Sequence, residues 1–214
     1  MNSIRKAPLT VIAGPMGAGK SLKLIWMLSQ QQVRGRTYAI VKPKDDSRDG
    51  AFIKSRMFKD PIEAIFVEER GDMGRAVKGC QVLAIDEAQF LDRIFLDEIV
   101  ELLDAGIAVI ACGLDTDFMG KSFGIMPYLL AMADEPIRLK AVCAYCRQDN
   151  ATRTQLIIEP RGNHEPQRAY EERIKPVRDF IEGRTRALVG NLGMYEARCH
   201  QHHSLPDLPL RPSD

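Results

Sequence analysis

No sign of charge dominates this sequence: 30 lysines and arginines stand against 29 acids, a net charge of +1. Such a balance gives no global field to recruit nucleic acid or an anionic membrane, so neither is expected as a partner, though a local basic patch stays open. Long apolar runs are missing too. Nothing approaches the ~18 apolar residues of a membrane span, and the early LTVIA is too short for the core of a signal peptide. The expected location is therefore the cytoplasm. There is no internal repeat and no low-complexity tract. Cysteine is sparse and odd in number, at five. In a reducing compartment that count fits a metal site plus two buried thiols, Cys80 and Cys112, better than disulfides. What is left is an ordinary soluble composition, 45% hydrophobic and 28% charged, in a length that suits one large domain or one domain with a small appendage.

Short apolar runs alternate with amphipathic ones. LTVIAG (9–14) reads as a buried strand closed by Gly14, and SLKLIWMLSQQQVRG (21–35) as a helix with Leu22, Ile25, Trp26, Leu28 and Ser29 near one face. Strands are expected at 36–43, 62–69, 80–86, 107–115 and near IRLKAVC. The polar KDDSRDG reads as a loop. Asp92 is a candidate cap for a helix carrying Phe95, Leu96, Ile99, Val100 and Leu103, stopped by Gly106. Another helix is expected near MPYLLAMADE. Such alternation predicts an α/β fold with a central parallel sheet covered by helices on both faces. From about Cys143 the sequence turns polar, with helix-like material around 165–185 that Pro176 interrupts. The expected division is a nucleotide-binding domain over 1–140, a smaller unit over 141–203, and a disordered tail, 204–214, rich in proline.

The strongest local signal is GPMGAGKS (14–21), which matches G-x-x-x-x-G-K-[ST] directly after a strand and before a helix. Its glycines let successive N–H groups of Gly14, Pro15, Met16, Gly17, Ala18 and Gly19, proline excepted, turn toward phosphate oxygens at a helix N-terminus. Lys20 would reach the β- and γ-phosphates of ATP, and the Ser21 hydroxyl would bind Mg²⁺.

The apolar VLAI (82–85) ends in the adjacent acids Asp86 and Glu87. Neighbouring carboxylates repel, so they are expected to have different partners. In a phosphate-loop fold a strand beside the loop ends in an acid facing Mg²⁺. That assigns Asp86 to the metal, and the divalent charge offsets the repulsion from a second acid. Glu87 is then free to accept a proton from the group attacking the γ-phosphorus, or else to orient a water or meet solvent.

Cys143-x-x-Cys146 and Cys199-x-x-His202 are two half-sites for one tetrahedral ion, and together they make a closed Cys₃His zinc site. His203 is a fallback ligand with less usual spacing. Such an ion ties off a loop of about 50 residues, too long to stay ordered alone. By analogy with a disulfide, closure contributes about 4 kcal/mol in the chain-entropy picture. A loop held at both ends can serve as a lid.

Taken in order, the phosphate loop, DEAQF, GLDTDFMGKSF (113–123), AVCAYC, ATRTQ (151–155) and VGNLGMYEARCHQH (189–202) resemble the thymidine kinases of the P-loop, zinc-containing type, over residues 9 to about 203. The resemblance implies a RecA-like parallel sheet with a small zinc-bearing "lasso" domain that closes over the nucleoside. It implies transfer of the γ-phosphoryl of ATP to the 5′-hydroxyl of deoxythymidine, a nucleotide-salvage reaction, and a homotetramer. By that match Glu87 is the proton acceptor, and Gln89 joins Asp86 and residues 14–21 in the ATP-binding set. Met16, Phe90, Leu114, Phe118 and Phe123 match pocket positions, and Thr154 a position beside thymine. Val189, Gly190, Asn191 and Tyr195 match the lasso. The chain departs from the family in three places. Asn191 replaces a second glycine, the stretch between metal half-sites is longer than usual, and Ser55-Arg56 stands where Ser-His is common.

Two other functions fit part of the pattern. DEAQ also resembles helicase boxes, but a nucleic-acid-stimulated ATPase normally needs two nucleotide-fold lobes and a basic stripe. A zinc-ribbon protein that binds nucleotide without turnover is countered by the complete set Lys20, Ser21, Asp86 and Glu87.

Overall fold

The computed structural model describes residues 5–44, 52–53, 62–159, 161–185 and 194–205. The KDDSRDG loop beyond Lys44, Ser55-Arg56, the lasso residues Val189, Gly190 and Asn191, and the tail from 206 lie outside the described residues.

Six strands form one parallel sheet: β1 (Leu9–Ala13), β2 (Tyr38–Pro43), β5 (Ile65–Val67), β6 (Val82–Ile85), β7 (Ala108–Gly113) and β8 (Glu135–Arg138), in the order β5-β2-β6-β7-β1-β8. Their apolar runs have no polar alternation because both faces are covered. Alternate residues enter two separate cores. Leu9, Val11, Leu83, Ile85 and Val109 pack under helices α2 (Asp72–Ala76), α3 (Ile94–Asp104) and α4 (Met126–Met132). Ile12, Ile40, Val82, Ala84 and Ile110 pack under α1 (Lys20–Val33). The expected central parallel sheet with helices on both faces is therefore what forms.

Several local expectations change. The strand foreseen at 62–69 splits at Ala64. β4 (Ile62–Glu63) pairs antiparallel with the short β3 (Phe52–Ile53), and β5 joins the main sheet. On α1 the buried stripe is Leu24, Ile25 and Leu28, while Trp26 is 51% exposed with the Lys23 ammonium 4.0 Å over its ring. Helix α3 starts after Arg93, one residue beyond Asp92, whose carbonyl accepts the Phe95 N–H at 3.1 Å. The strand expected near IRLKAVC starts earlier, at Glu135, and its Pro136 is tolerated because β8 is a sheet edge.

Beyond the sheet, the chain forms an antiparallel pair, β9 (Arg153–Leu156) and β10 (Tyr195–Arg198), and a 15-residue helix, α5 (Gln167–Ile181). Pro176 lies inside α5 without breaking it.

The tightest backbone approach joins the two loops that follow β6 and β7. Gly124 has φ +52, and a Cβ there would sit 1.9 Å from the carbonyl oxygen of Gln89. Gly124→Ala is expected to cost more than about 2 kcal/mol in urea unfolding, from backbone strain plus overlap. Gly79→Ala, at φ +81 with open space around it, is expected to cost only about 1 kcal/mol.

Candidate functional site

The phosphate loop leaves β1 with three glycines at positive φ: Gly14 at 155°, Gly17 at 76° and Gly19 at 81°. Gly14 also leaves room for a neighbour, since a Cβ would lie 2.5 Å from the Leu139 carbonyl oxygen. The Ser21 hydroxyl lies 3.3 and 3.5 Å from the two Asp86 oxygens, so the two Mg²⁺ candidates converge. Lys20 donates to the Pro15 carbonyl at 3.0 Å and so rests on its own loop.

In the sheet, β7 lies between β6, which leads into Asp86, and β1, which leads into the phosphate loop. The intervening strand brings a residue the sequence had marked only as a buried thiol. Cys112 follows Ala111, the register partner of Ile85, and its thiol donates to Asp86 Oδ1 at 2.8 Å. Cys80, the other expected buried thiol, is only half-buried.

The adjacent acids are separated by backbone conformation. Asp86 continues the strand, with its N–H donating to the Val41 carbonyl at 3.0 Å. Glu87 is left-handed at φ 54°, which turns its carboxylate toward a different wall. Burial raises the Asp86 carboxyl from 3.8 to about 6; the Glu87 charge adds to the rise, and the Cys112 hydrogen bond, Lys42 and Lys20 oppose it. Burial first, then Asp86 as charge and acceptor, raises the Cys112 thiol well above its usual value, so it stays a donor.

Gln89, grouped with the phosphate residues on sequence, is 2% exposed and committed behind Glu87. Its amide nitrogen donates to Glu87, and its Oε1 accepts the Leu114 N–H at 3.0 Å.

A cleft of about 520 Å³, counted to its open mouth, abuts the loop and Glu87. Met16, Phe90, Leu114, Phe118 and Phe123 line it, as do Thr154 and Tyr195 from the β9/β10 pair. The described sequence-predicted pocket residues thus come together. Phe90 and Phe123 meet edge-to-face with centroids 5.5 Å apart. Lys20 and Glu87 give one end charge. Two further lining residues were missed, Asp117 and Phe180. Asp117 accepts the N–H groups of Met119 and Lys121 at 2.8 and 2.9 Å, and burial raises its carboxyl. Its place in the DTDF stretch beside Phe118 was the available signal.

Cys143, Cys146, Cys199 and His202 form a separate cluster whose ligand atoms all lie within 4.8 Å of one another. A tetrahedral zinc with bonds of ~2.0–2.3 Å needs ligand separations of about 3.5–3.8 Å, so this donor set fits one with small adjustments. His202 Nδ1 is 3.1 Å from Cys199 Sγ and 3.9 Å from Cys143 Sγ. His203 faces away, and its Nε2 donates to the Phe118 carbonyl at 2.9 Å. Burial pushes the Cys143 thiol up, but N–H groups of Cys146, Cys199 and Tyr145 outweigh it and bring the thiol to about 5. It is therefore thiolate at neutral pH, the form a metal takes. A hydrogen bond from the Met16 N–H to Thr154 Oγ1, 3.0 Å, ties this side of the molecule to the phosphate loop.

A phosphate loop whose serine meets a buried strand-end acid, with an aromatic-lined cleft opening beside the next carboxylate, belongs to a nucleotide-dependent phosphotransferase. Comparison with known proteins narrows the class. The family model "Thymidine kinase" matches residues 7–203, and the chain belongs to that family. Proteins named thymidine kinase from Coprothermobacter proteolyticus (37% identity, 94% of this chain and 93% of the relative), Thermococcus kodakarensis (36%, 93% and 95%) and Mycoplasma genitalium (33%, 94% and 84%) are similar over nearly the whole length. Among solved structures, the genome packaging NTPase B204 from Sulfolobus turreted icosahedral virus 2 superposes on 66% of this chain and 77% of its own, with TM-score 0.41 and 17% identity, too loosely to bear on function.

Two outcomes follow from the geometry. With its folded value raised, Asp86 keeps a proton between about pH 4 and 6 that the unfolded chain has released. Native stability therefore falls across that window, and the loss persists at neutral pH. Without added magnesium, Asp86→Asn should be more stable than the parent at pH 7 by up to about 3 kcal/mol. The difference should vanish below about pH 4 in urea titrations.

The two histidines should separate cleanly. His202→Ala is expected to lose the bound metal by elemental analysis. His203→Ala should keep it and instead raise the nucleoside KM several-fold, about what one lost hydrogen bond yields.

Proposed function

We propose that this chain phosphorylates thymidine with ATP, with the two adjacent acids divided between metal and substrate. The family match supports the reaction, and the single observation that carries the division of labour is the left-handed Glu87. It aims one carboxylate into the nucleoside cleft while Asp86 stays beside Ser21. Ser21 and Asp86 would hold Mg²⁺, which would supply charge neutralisation for the phosphates. The amides of residues 14–19 cradle those phosphates, and Lys20 turns from the Pro15 carbonyl to the γ-oxygens. Glu87, steadied by Gln89, takes the proton from the 5′-hydroxyl as it attacks phosphorus. Phe90, Phe118 and Phe123 enclose the base, which has a π-face for them to pack on. Thr154, Tyr195 and the Val189, Gly190 and Asn191 stretch complete the nucleoside site.

Zinc on Cys143, Cys146, Cys199 and His202 would be structural, since a closed Cys₃His set leaves no position for substrate. It would hold residues 141–203 as a lid over the 1–140 domain. Among the described residues no helix is long and apolar enough to cross a membrane. We place the enzyme in the cytoplasm as a homo-oligomer, the tetramer its resemblance points to, with no nucleic-acid partner.

The test is a panel of deoxynucleosides with ATP and Mg²⁺, scored for 5′-monophosphate. Thymidine should release ADP and 5′-monophosphate in equal amounts, whereas ADP release driven by single-stranded DNA would overturn the reading. Glu87→Gln should bind ATP like the parent in calorimetry and lose 10²- to 10⁴-fold in kcat, the usual contribution of a positioned base.

A further inference from the structure

The stretch between the two metal half-sites carries a helix of its own, α5 (Gln167–Ile181). Most of the helix surface is charged, and ion pairs such as Arg168–Glu172 at 3.1 Å face solvent. One stripe is not: Tyr170, Ile174 and Val177 are buried at spacings of four and three. Past that stripe, Val177, Phe180 and Ile181 join a cluster with Phe118, Leu156 and Tyr195.

Phe180 is the residue in that cluster with a second environment. Its ring is half-buried and lines the same cleft as Glu87, Thr154 and Phe118. It meets Phe118 with centroids 4.9 Å apart at 40°, and Phe118 in turn faces Tyr195 at 6.4 Å. Three aromatics from three separate elements thus form one continuous wall. The helix carrying Phe180 is braced along its length. Arg173 bonds both oxygens of Glu165, at 3.1 and 3.0 Å, and the Glu159 carbonyl at 3.2 Å. The mostly buried Arg178 donates to Glu171 at 2.7 Å. A ring held this way loses little entropy on ligand binding, which is what makes an aromatic wall effective.

We propose that α5 is part of the substrate site, and that Phe180 is a binding residue for the pyrimidine deoxynucleoside, closing the cleft on the Phe118 side. This rests on the thymidine reading above. A surface helix that only covered Phe118 would need the aliphatic contacts of Val177 and Ile181, but not an aromatic ring bordering the cleft beside the proton acceptor.

The experiment is steady-state kinetics and thymidine calorimetry on Phe180→Ala and Phe180→Leu, with Arg168→Ala on the exposed face as control. Phe180→Ala should raise the thymidine KM and Kd about tenfold or more, the effect of removing a large apolar contact from a pocket. The ATP KM, kcat at saturating nucleoside, and metal content should stay within about twofold. Phe180→Leu should recover part of the loss, and Arg168→Ala should match the parent. A parent that does not phosphorylate thymidine would sink the activity reading itself. A parent that does, with both Phe180 variants within twofold on thymidine KM, overturns the inference alone. So does a joint fall in kcat, ATP affinity and melting temperature that leucine fails to restore.

Discussion

A single buried amide sets the geometry on which the reaction centre depends. Gln89 is almost wholly out of solvent, so each of its polar atoms must find a partner or carry a desolvation penalty of ~1–3 kcal/mol. One end steadies Glu87 and the other holds the Leu114 N–H. The space for it is made by glycines: a Cβ at Gly113 would lie 2.5 Å from its Oε1, and Gly124 packs on its backbone. The turn after β6, the end of β7 and the loop reaching Phe118 and Phe123 are therefore locked to one another. Glu87 thereby gains a fixed direction.

The opposite wall of the cleft is fixed by a different kind of tether. Thr154 and Tyr195 lie on paired strands, β9 and β10, whose far ends run into the Cys₃His cluster. The Met16 N–H reaches Thr154, and His203, one residue past the last ligand, holds the Phe118 carbonyl. Ordering the cluster therefore orders two sides of the nucleoside cleft, even though no ligand atom lines it. The phosphate loop touches the same unit, through that Met16 hydrogen bond and through Ala18, which packs against the cysteine cluster.

Sequence made legible those features whose residues sit close along the chain. GPMGAGKS, the Asp86-Glu87 pair and both metal half-sites are local spacings with a chemical reason, and the fold brings each together. The parallel sheet was legible because unbroken apolar runs need two covered faces. Features set by strand order were not. Nothing in the runs themselves says that β7 lies between β1 and β6, so Cys112 could be read as a buried thiol but not as a donor to Asp86. Phe180 was hidden for another reason. It sits in a charged segment outside the shared motifs, and its reach into the cleft depends on how α5 docks. Trp26 misled in the opposite direction: its spacing suited the buried stripe, but the amphipathic ring rests in solvent under Lys23. Pro176 misled by rule, since proline disfavours a helix interior, yet α5 continues through it.

The most costly feature of the site is also the one most tied to its use. An ionised Asp86, buried between strands beside a second acid, opposes folding at neutral pH, and the rise of its carboxyl to about 6 measures that opposition. Cys112 and Ser21 supply two hydrogen-bonding neighbours, too little to offset a full charge taken from water. A divalent cation held by Ser21 and Asp86, as proposed above, would offset that charge. The left-handed backbone sets the Glu87 carboxylate against Gln89 and the cleft, and the proton transfer proposed above would need such a carboxylate, one that a cation does not neutralise.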